Sequence, residues 1–231
     1  YMRGNNAMLD IVWSIPHSAK GNCYVFGLGP RRGKGGYYKG RTQKARPGDK
    51  CETTPGCCYR DRPFNFKDCK AFVRRILCDN PKHVKFLPKK VTWKTKLPKG
   101  THMMSAILSP TGHNDFHFLR RFDIGQIRRV WGKLNERTPE PANSQIRALF
   151  ALRQKQQKEC NVLGKVTPRI YVWGHQRGWM AGGPVVCDAK QNIIRDVKRA
   201  NFNYNGLNYK LFCGYFKVNT RYATVTTQFD K

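Results

Sequence analysis

Cysteine and histidine are the residue types in this chain that could carry covalent chemistry. The sequence has nine cysteines and six histidines. A cysteine nucleophile needs an imidazole within hydrogen-bond reach to take its proton, and a third group to orient that ring. Cys23, His117 and His175 form one such candidate set. Sequence spacing alone does not bring the three residues together, so the set is a hypothesis at this point.

Five other cysteines lie close together in the sequence. With His83 they supply enough soft ligands for a tetrahedral zinc ion. Their spacing lacks the closely spaced cysteine pair of a zinc knuckle, and Cys69 falls on the apolar face of a predicted helix, where a thiol packs as a small apolar group. We therefore expect no metal and no other cofactor, while the sequence alone leaves a zinc site at these cysteines open. The odd number of cysteines, and their low density compared with secreted disulfide scaffolds, predict a reducing compartment. The five are Cys51, Cys57, Cys58, Cys69 and Cys78.

The charge balance is the strongest feature of the composition. There are 44 Lys and Arg residues against 14 Asp and Glu residues, which gives a formal net charge of +30. In a compact chain these positive charges repel one another and destabilise the folded state unless a polyanion neutralises them. The 39% of hydrophobic residues is enough for a folded core, yet no stretch approaches the ~18–20 consecutive apolar residues of a membrane span. We therefore predict a polyanionic partner and no membrane.

Basic segments interleaved with aromatic residues predict RNA as that partner. Arg and Lys neutralise phosphates, while rings such as Tyr37 and Tyr38 can stack on unpaired bases. We expect no small-molecule substrate. The residues predicted to contact RNA are Arg31, Arg32, Lys34, Tyr37, Tyr38, Lys39, Arg41, Lys44, Arg46, Lys85, Lys89, Lys90, Lys94, Arg120, Arg121, Arg128, Arg129, Arg147 and Arg153.

Periodicity predicts the elements that must position these residues. Apolar residues in 66–77 recur with helical spacing. Strand-like segments at 101–108 and 115–121 flank a turn rich in Pro and Gly, which predicts a β-hairpin. Further helical spacing follows Pro139 and Pro141, and we predict Ser144 as the N-cap of that helix.

Several short motifs occur along the chain in a fixed order. They are Asn-Cys-Tyr at 22–24, Arg-Pro-Gly at 46–48, Asn-Asp-Phe-His-Phe-Leu-Arg at 114–120, Trp-Gly-His-Gln-Arg-Gly-Trp at 173–179, Asp-Ala-Lys-Gln-Asn at 188–192, and the segments 195–201 and 206–216. In this order the motifs resemble a bacterial family of papain-type, cell-wall-peptidase-like cysteine hydrolases. In that family a cysteine opens a helix and a histidine lies on a following strand. The resemblance implies that Cys23 occupies the nucleophile position, His117 the base position and His175 a position lining the site.

The resemblance also implies the fold class. We expect an α+β protein with a papain-like core and a mainly antiparallel sheet, built from residues 1–121 and 171–231 as a single domain. Basic loops at 30–50 and 82–99 belong to this core. Residues 122–170 are expected to be a basic helical insertion.

Two functions follow from these patterns. The first is a catalytically inactive, rRNA-binding scaffold of a mitochondrial ribosome, held in the matrix by ribosomal RNA and neighbouring ribosomal proteins. The chain as a whole resembles a mitochondrial ribosomal protein of a lineage with an expanded mitoribosome, and a start at Tyr1 with no secretory signal fits a processed, imported chain.

The alternative is an active cysteine hydrolase that uses Cys23 and His117 on an anionic polymer or peptide. It predicts an exposed Cys23 within about 4 Å of a His117 nitrogen, beside an open groove.

Overall fold

The protein is an α+β structure with a mainly antiparallel sheet, as expected. The computed structural model describes residues 22–29, 46–48, 62–136, 138–176, 184–219 and 223. Its helices are α1 (Cys23–Leu28), α2 (Cys69–Asp79), α3 (Ile124–Arg129), α4 (Trp131–Asn135) and α5 (Glu140–Val162). Its strands are β1 (Val84–Phe86), β2 (Thr101–Ser109), β3 (Asp115–Asp123), β4 (Tyr171–Gln176), β5 (Pro184–Val185), β6 (Asn203–Tyr204), β7 (Leu207–Asn208) and β8 (Leu211–Asn219).

Six strands form the main sheet in the order β1-β8-β2-β3-β4-β5, and each neighbouring pair is antiparallel. The predicted hairpin is confirmed, because β2 and β3 pair directly on either side of residues 110–114. Strands β6 and β7 form a separate small hairpin. Among the described residues, none of the helices is long and apolar enough to cross a membrane.

Both faces of the central strands are buried. On one face Met104, Phe118 and Phe216 pack against α1 and α2. On the other face Leu119 and Trp173 pack beneath irregular segments that follow β1 and β5. Strands covered on both faces need nearly continuous apolar sequence, which THMMSAILS and the phenylalanines of β3 provide.

Helix α1 is short, and local features fix both of its ends. The Asn22 side chain accepts hydrogen bonds from the backbone N–H groups of Tyr24 and Val25, which satisfies donors that the first turn leaves unpaired. Gly29 ends the helix in the left-handed region, at φ 56°. A Cβ at Gly27 would lie 2.9 Å from Met104 Sδ, so this glycine lets α1 pack closely on the sheet.

Two predictions about the helices need correction. Helix α5 begins at Glu140, directly after Pro139, so Ser144 lies within the helix and is not its N-cap. Pro141 is compatible with this earlier start because the first turn of a helix needs no backbone N–H from that position. Helix α2 begins at Cys69, where Asp68 accepts two backbone hydrogen bonds, and not at residue 66.

Two of the clustered cysteines form disulfides. Cys69 on α2 is bonded to Cys213 on β8, and Cys78 is also disulfide-bonded. The expectation that Cys69 is a thiol packed as an apolar side chain is therefore wrong. The other three clustered cysteines lie outside the described residues, and within the described ones no group of His, Cys, Asp and Glu could hold a metal ion.

Candidate active site

Adjacent strands bring His117 and His175 together. Leu119 on β3 lies opposite His175 on β4, so His117 is the diagonal neighbour of His175 on the same face. His117 Nε2 lies 2.8 Å from His175 Nδ1, and the two rings are nearly perpendicular at 86°. The side chains of both residues are buried, with exposed fractions of 5% and 0%.

A backbone carbonyl fixes which nitrogen of each ring carries a proton. His175 Nε2 lies 2.9 Å from the carbonyl oxygen of Cys187, which can only accept, so Nε2–H of His175 donates. Nδ1 of the neutral His175 ring is then an acceptor, and it accepts from Nε2–H of His117. Neutral His117 therefore has its basic lone pair on Nδ1.

Cys23 lies at the start of α1, next to the strand that carries His117. Its Sγ is 3.7 Å from the carbonyl oxygen of Phe116, the residue immediately before His117. Only 2% of Cys23 is exposed. The hydrolase alternative predicts an exposed Cys23, and that prediction is wrong, because α1 packs into the core with its first residue.

Tyr209 completes the surroundings of the histidine pair. Its ring centroid lies 5.1 Å from that of His117, and its hydroxyl donates to Asp115 Oδ2 at 2.8 Å. Burial raises the pKa of Tyr209 far above its usual value, and the negative charges of Asp115 and Cys23 raise it further. Tyr209 is therefore a neutral phenol at physiological pH.

Asp188 holds the segment that supplies the Cys187 carbonyl. Its Oδ1 accepts from the backbone N–H groups of Lys190 and Asn192, and its Oδ2 accepts from that of Asn201. These three bonds tie both ends of the segment to one carboxylate. Asp188 is thus a positioning residue for His175 through Cys187.

Sequence reasoning missed Asp115, Asp188 and Tyr209 as parts of this site. All three lie in the motifs at 114–120, 188–192 and 206–216, so their presence there was the available signal. Their roles depend on contacts between residues far apart in the chain, such as the hydrogen bond between Asp115 and Tyr209, which are 94 positions apart.

The residues predicted to bind RNA fall into three groups. Eight of them, from Arg31 to Lys44, lie outside the described residues. Most of the others are exposed, although Arg153 is half-buried and Arg147 forms an ion pair with Glu140. The exposed group is Arg46, Lys85, Lys89, Lys90, Lys94, Arg128, Arg129 and Arg147.

Arg120 and Arg121 do not belong to that exposed group, contrary to the prediction. Their exposed fractions are 5% and 7%, because α1 and the segment around Trp93 cover the two faces of β3. The Arg121 guanidinium donates to the carbonyl oxygen of Trp93 and lies 3.9 Å from the centroid of the Tyr171 ring. Burial lowers the pKa of Arg121 to about 10, so this side chain stays charged at pH 7.

Comparisons of the chain with protein-family models, with curated proteins and with solved structures found no match. The geometry of the site is therefore the basis of the functional proposals that follow.

Proposed function

We propose that the protein is a cysteine-dependent hydrolase of amide bonds, acting on an anionic polymer or peptide, with a papain-like core. The observation that carries the proposal is the chain of hydrogen bonds from the Cys187 carbonyl through His175 to His117. It leaves the basic lone pair of His117 on Nδ1, and it supplies the orienting group that a cysteine–histidine pair requires. A cysteine on a helix that packs against the histidine-bearing sheet supports the papain-like assignment.

The reaction requires four steps in this site. The Cys23 proton moves to His117 Nδ1 while Sγ bonds to the carbonyl carbon of the substrate amide. The C–N bond breaks, and His117 returns the proton to the leaving amine. Water then attacks the thioester and gives its proton to His117. The C–S bond then breaks, the carboxylic acid product leaves, and His117 returns its proton to Sγ, which restores the Cys23 thiol.

Burial of Cys23 has a consequence for this reaction. A substrate carbonyl reaches Sγ only when the groups that cover the start of α1 move apart. Slow access does not abolish chemistry, because local opening occurs with a lower free energy than global unfolding. A small electrophile measures both the opening and the reactivity of the thiol.

Alkylation of the native protein with iodoacetamide at neutral pH tests the proposal. Peptide mapping by mass spectrometry follows Cys23 separately from Cys160, a half-buried thiol on α5 that serves as an internal reference. We expect Cys23 to react in the wild type and to lose most of that reactivity in His117→Ala, with Cys160 unchanged. A Cys23 that is unreactive, or equally reactive in both proteins, contradicts the proposal.

Exposed lysines favour a second candidate function, that of an rRNA-binding component of a mitochondrial ribosome. All seven lysines between residues 82 and 99 are exposed, and within the described part of the chain none of them forms an ion pair. Such cations neutralise phosphates with release of counterions. Under this proposal the partners are ribosomal RNA and neighbouring ribosomal proteins in the mitochondrial matrix.

Salt dependence tests the second candidate. The double variant Lys89→Gln/Lys90→Gln is compared with Lys67→Gln/Lys70→Gln, which removes the same charge from other exposed positions. We expect only the first pair to weaken RNA binding and to lower the log–log salt slope, by about 0.7–0.9 for each lost phosphate contact. Equal effects of the two variants, or a flat salt response, contradict a binding surface at 82–99.

A further inference from the structure

Two cavities adjoin on the face of the sheet that carries the histidine pair. One has a volume of about 470 Å³ and the other about 370 Å³, and Ala200 lines both. The segment from Asp188 to Asn203 contributes most of their walls. We call the two cavities together the cationic groove. Five basic side chains line it: Lys94, Arg195 and Arg199 in the larger cavity, and Lys198 and Lys210 in the smaller one.

The two acidic residues of the groove offset only part of this positive charge. Asp188 and Asp196 line the larger cavity, but three backbone N–H groups occupy Asp188. Asp196 accepts from the backbone N–H of Lys198 and from the Tyr215 hydroxyl. Within the described residues none of the five groove cations forms an ion pair. The groove thus keeps a local excess of positive charge.

Arg195 places a guanidinium group at the wall of the larger cavity. Its Nε is buried and has no hydrogen-bond partner among the described residues. Its guanidinium lies 5.5 Å from the centroid of the Trp93 ring, which holds it at the wall of the larger cavity. A guanidinium group presents its N–H donors in a planar fork, and a carboxylate supplies two oxygens that accept from such a fork.

The smaller cavity is the part of the cationic groove that lies nearest the proposed active site. Tyr209 and Phe202 form part of its wall, and the same two rings contact His117 and His175. Three asparagines, Asn201, Asn203 and Asn208, also line this cavity. Amide side chains both donate to and accept from peptide groups, so this wall suits an extended peptide backbone.

We propose that the cationic groove binds the acidic side chains of a peptide substrate, beside the histidine pair of the proposed active site. This inference rests on the proposed hydrolase function and narrows its substrate to an acidic peptide. Nucleic acid is the less favoured occupant. Asparagine side chains line the cavity nearer the histidines, whereas Trp93 already has Lys94 and Arg195 near its ring and is poorly placed to stack on a base.

Binding to a Cys23→Ala variant tests the groove without turnover. The probes are a fluorescent peptide of eight glutamates, its glutamine counterpart and an octamer of uridylate, each followed by fluorescence anisotropy. We expect the glutamate peptide to bind at least tenfold more tightly than the glutamine peptide, because only glutamate carboxylates form hydrogen bonds between two charged groups with the lysines and arginines of the groove. Tighter binding of the oligonucleotide overturns the peptide assignment.

Substitutions in the groove locate the binding. We expect Arg195→Gln/Arg199→Gln to weaken binding of the glutamate peptide by about tenfold or more, and Lys67→Gln/Lys70→Gln to leave it unchanged. Because Arg195 is half-buried, circular dichroism first checks folding. Lys198→Gln/Lys210→Gln, at exposed positions, repeats the test independently. Equal effects of groove and control variants overturn the inference.

The experiments distinguish a wrong assignment of the groove from a wrong assignment of the hydrolase function. If Cys23 is alkylated in a His117-dependent way but the groove variants bind the glutamate peptide normally, only the groove assignment is wrong. If the groove variants lose binding but Cys23 is unreactive, the groove binds acidic peptide on a protein that is not a hydrolase, and the inference about a substrate is overturned with the proposed function.

Discussion

Replacing His175 by alanine should slow alkylation of Cys23, although His175 does not accept the thiol proton. The reactive thiolate forms when His117 takes the Cys23 proton, which makes His117 a cation. Its Nε2–H then donates to His175 Nδ1, across 2.8 Å, as a charge-assisted hydrogen bond worth ~1.5–3 kcal/mol. Since ~1.36 kcal/mol is tenfold in an equilibrium, His175→Ala should lower the thiolate population and the alkylation rate constant by roughly 10- to 160-fold.

Second-order rate constants for iodoacetamide at Cys23 and Cys160, measured in one sample, give the result. His175→Gln should recover part of the rate, since its amide can accept from His117 and donate to the Cys187 carbonyl. The matched control is His113→Ala, which removes an exposed histidine at the β2–β3 turn. If folded His175→Ala reacts at the wild-type rate, the hydrogen-bond chain does not support the thiolate and the reasoning is refuted.

Two further predictions concern stability. Replacing Cys69 and Cys213 by alanine should lower the free energy of unfolding by about 5 kcal/mol, because their disulfide closes a span of 144 residues; an unchanged denaturation midpoint would contradict this. Burial, and then the charge of Arg120, hold the pKa of His102 well below 6.5. Below about pH 6.5 the unfolded chain therefore takes up a proton that the folded chain does not, so the free energy of unfolding should decrease as the pH is lowered. The decrease should be smaller in His102→Gln than in the wild type. Equal shifts of the urea midpoint in the two proteins would disprove this prediction.

Local patterns in the sequence predicted the elements whose contacts are also local. The β2–β3 hairpin depends on alternating apolar residues around one turn, and α2 depends on helical spacing within a dozen positions. The expected N-cap at Ser144 was wrong because two prolines resemble a helix break, whereas the first turn accepts them.

The candidate site depends on contacts that no local pattern encodes. His117 and His175 are 58 positions apart in the sequence, and they meet only because β4 pairs with β3 in a register that sets Leu119 opposite His175. Arg120 and Arg121 were expected at the surface because of their charge. They are buried because segments distant in the sequence cover both faces of their strand. A hydrogen bond and a ring contact offset the free-energy cost of burying the Arg121 charge.

The helices α3, α4 and α5 are inserted between β3 and β4, and the position of this insertion determines how easily its length can change. Asp123 and Tyr171 are partners across β3 and β4, and the backbone N–H of Ile124 donates to the carbonyl oxygen of Ile170 at 2.7 Å. The two ends of the helical region are thus adjacent in space, as are the two ends of the connection in a β-hairpin. Its length can change at little entropic cost, since closure of a loop depends only logarithmically on its length. Evolution or an engineer can shorten, extend or exchange these helices while the strands beside them keep their alignment.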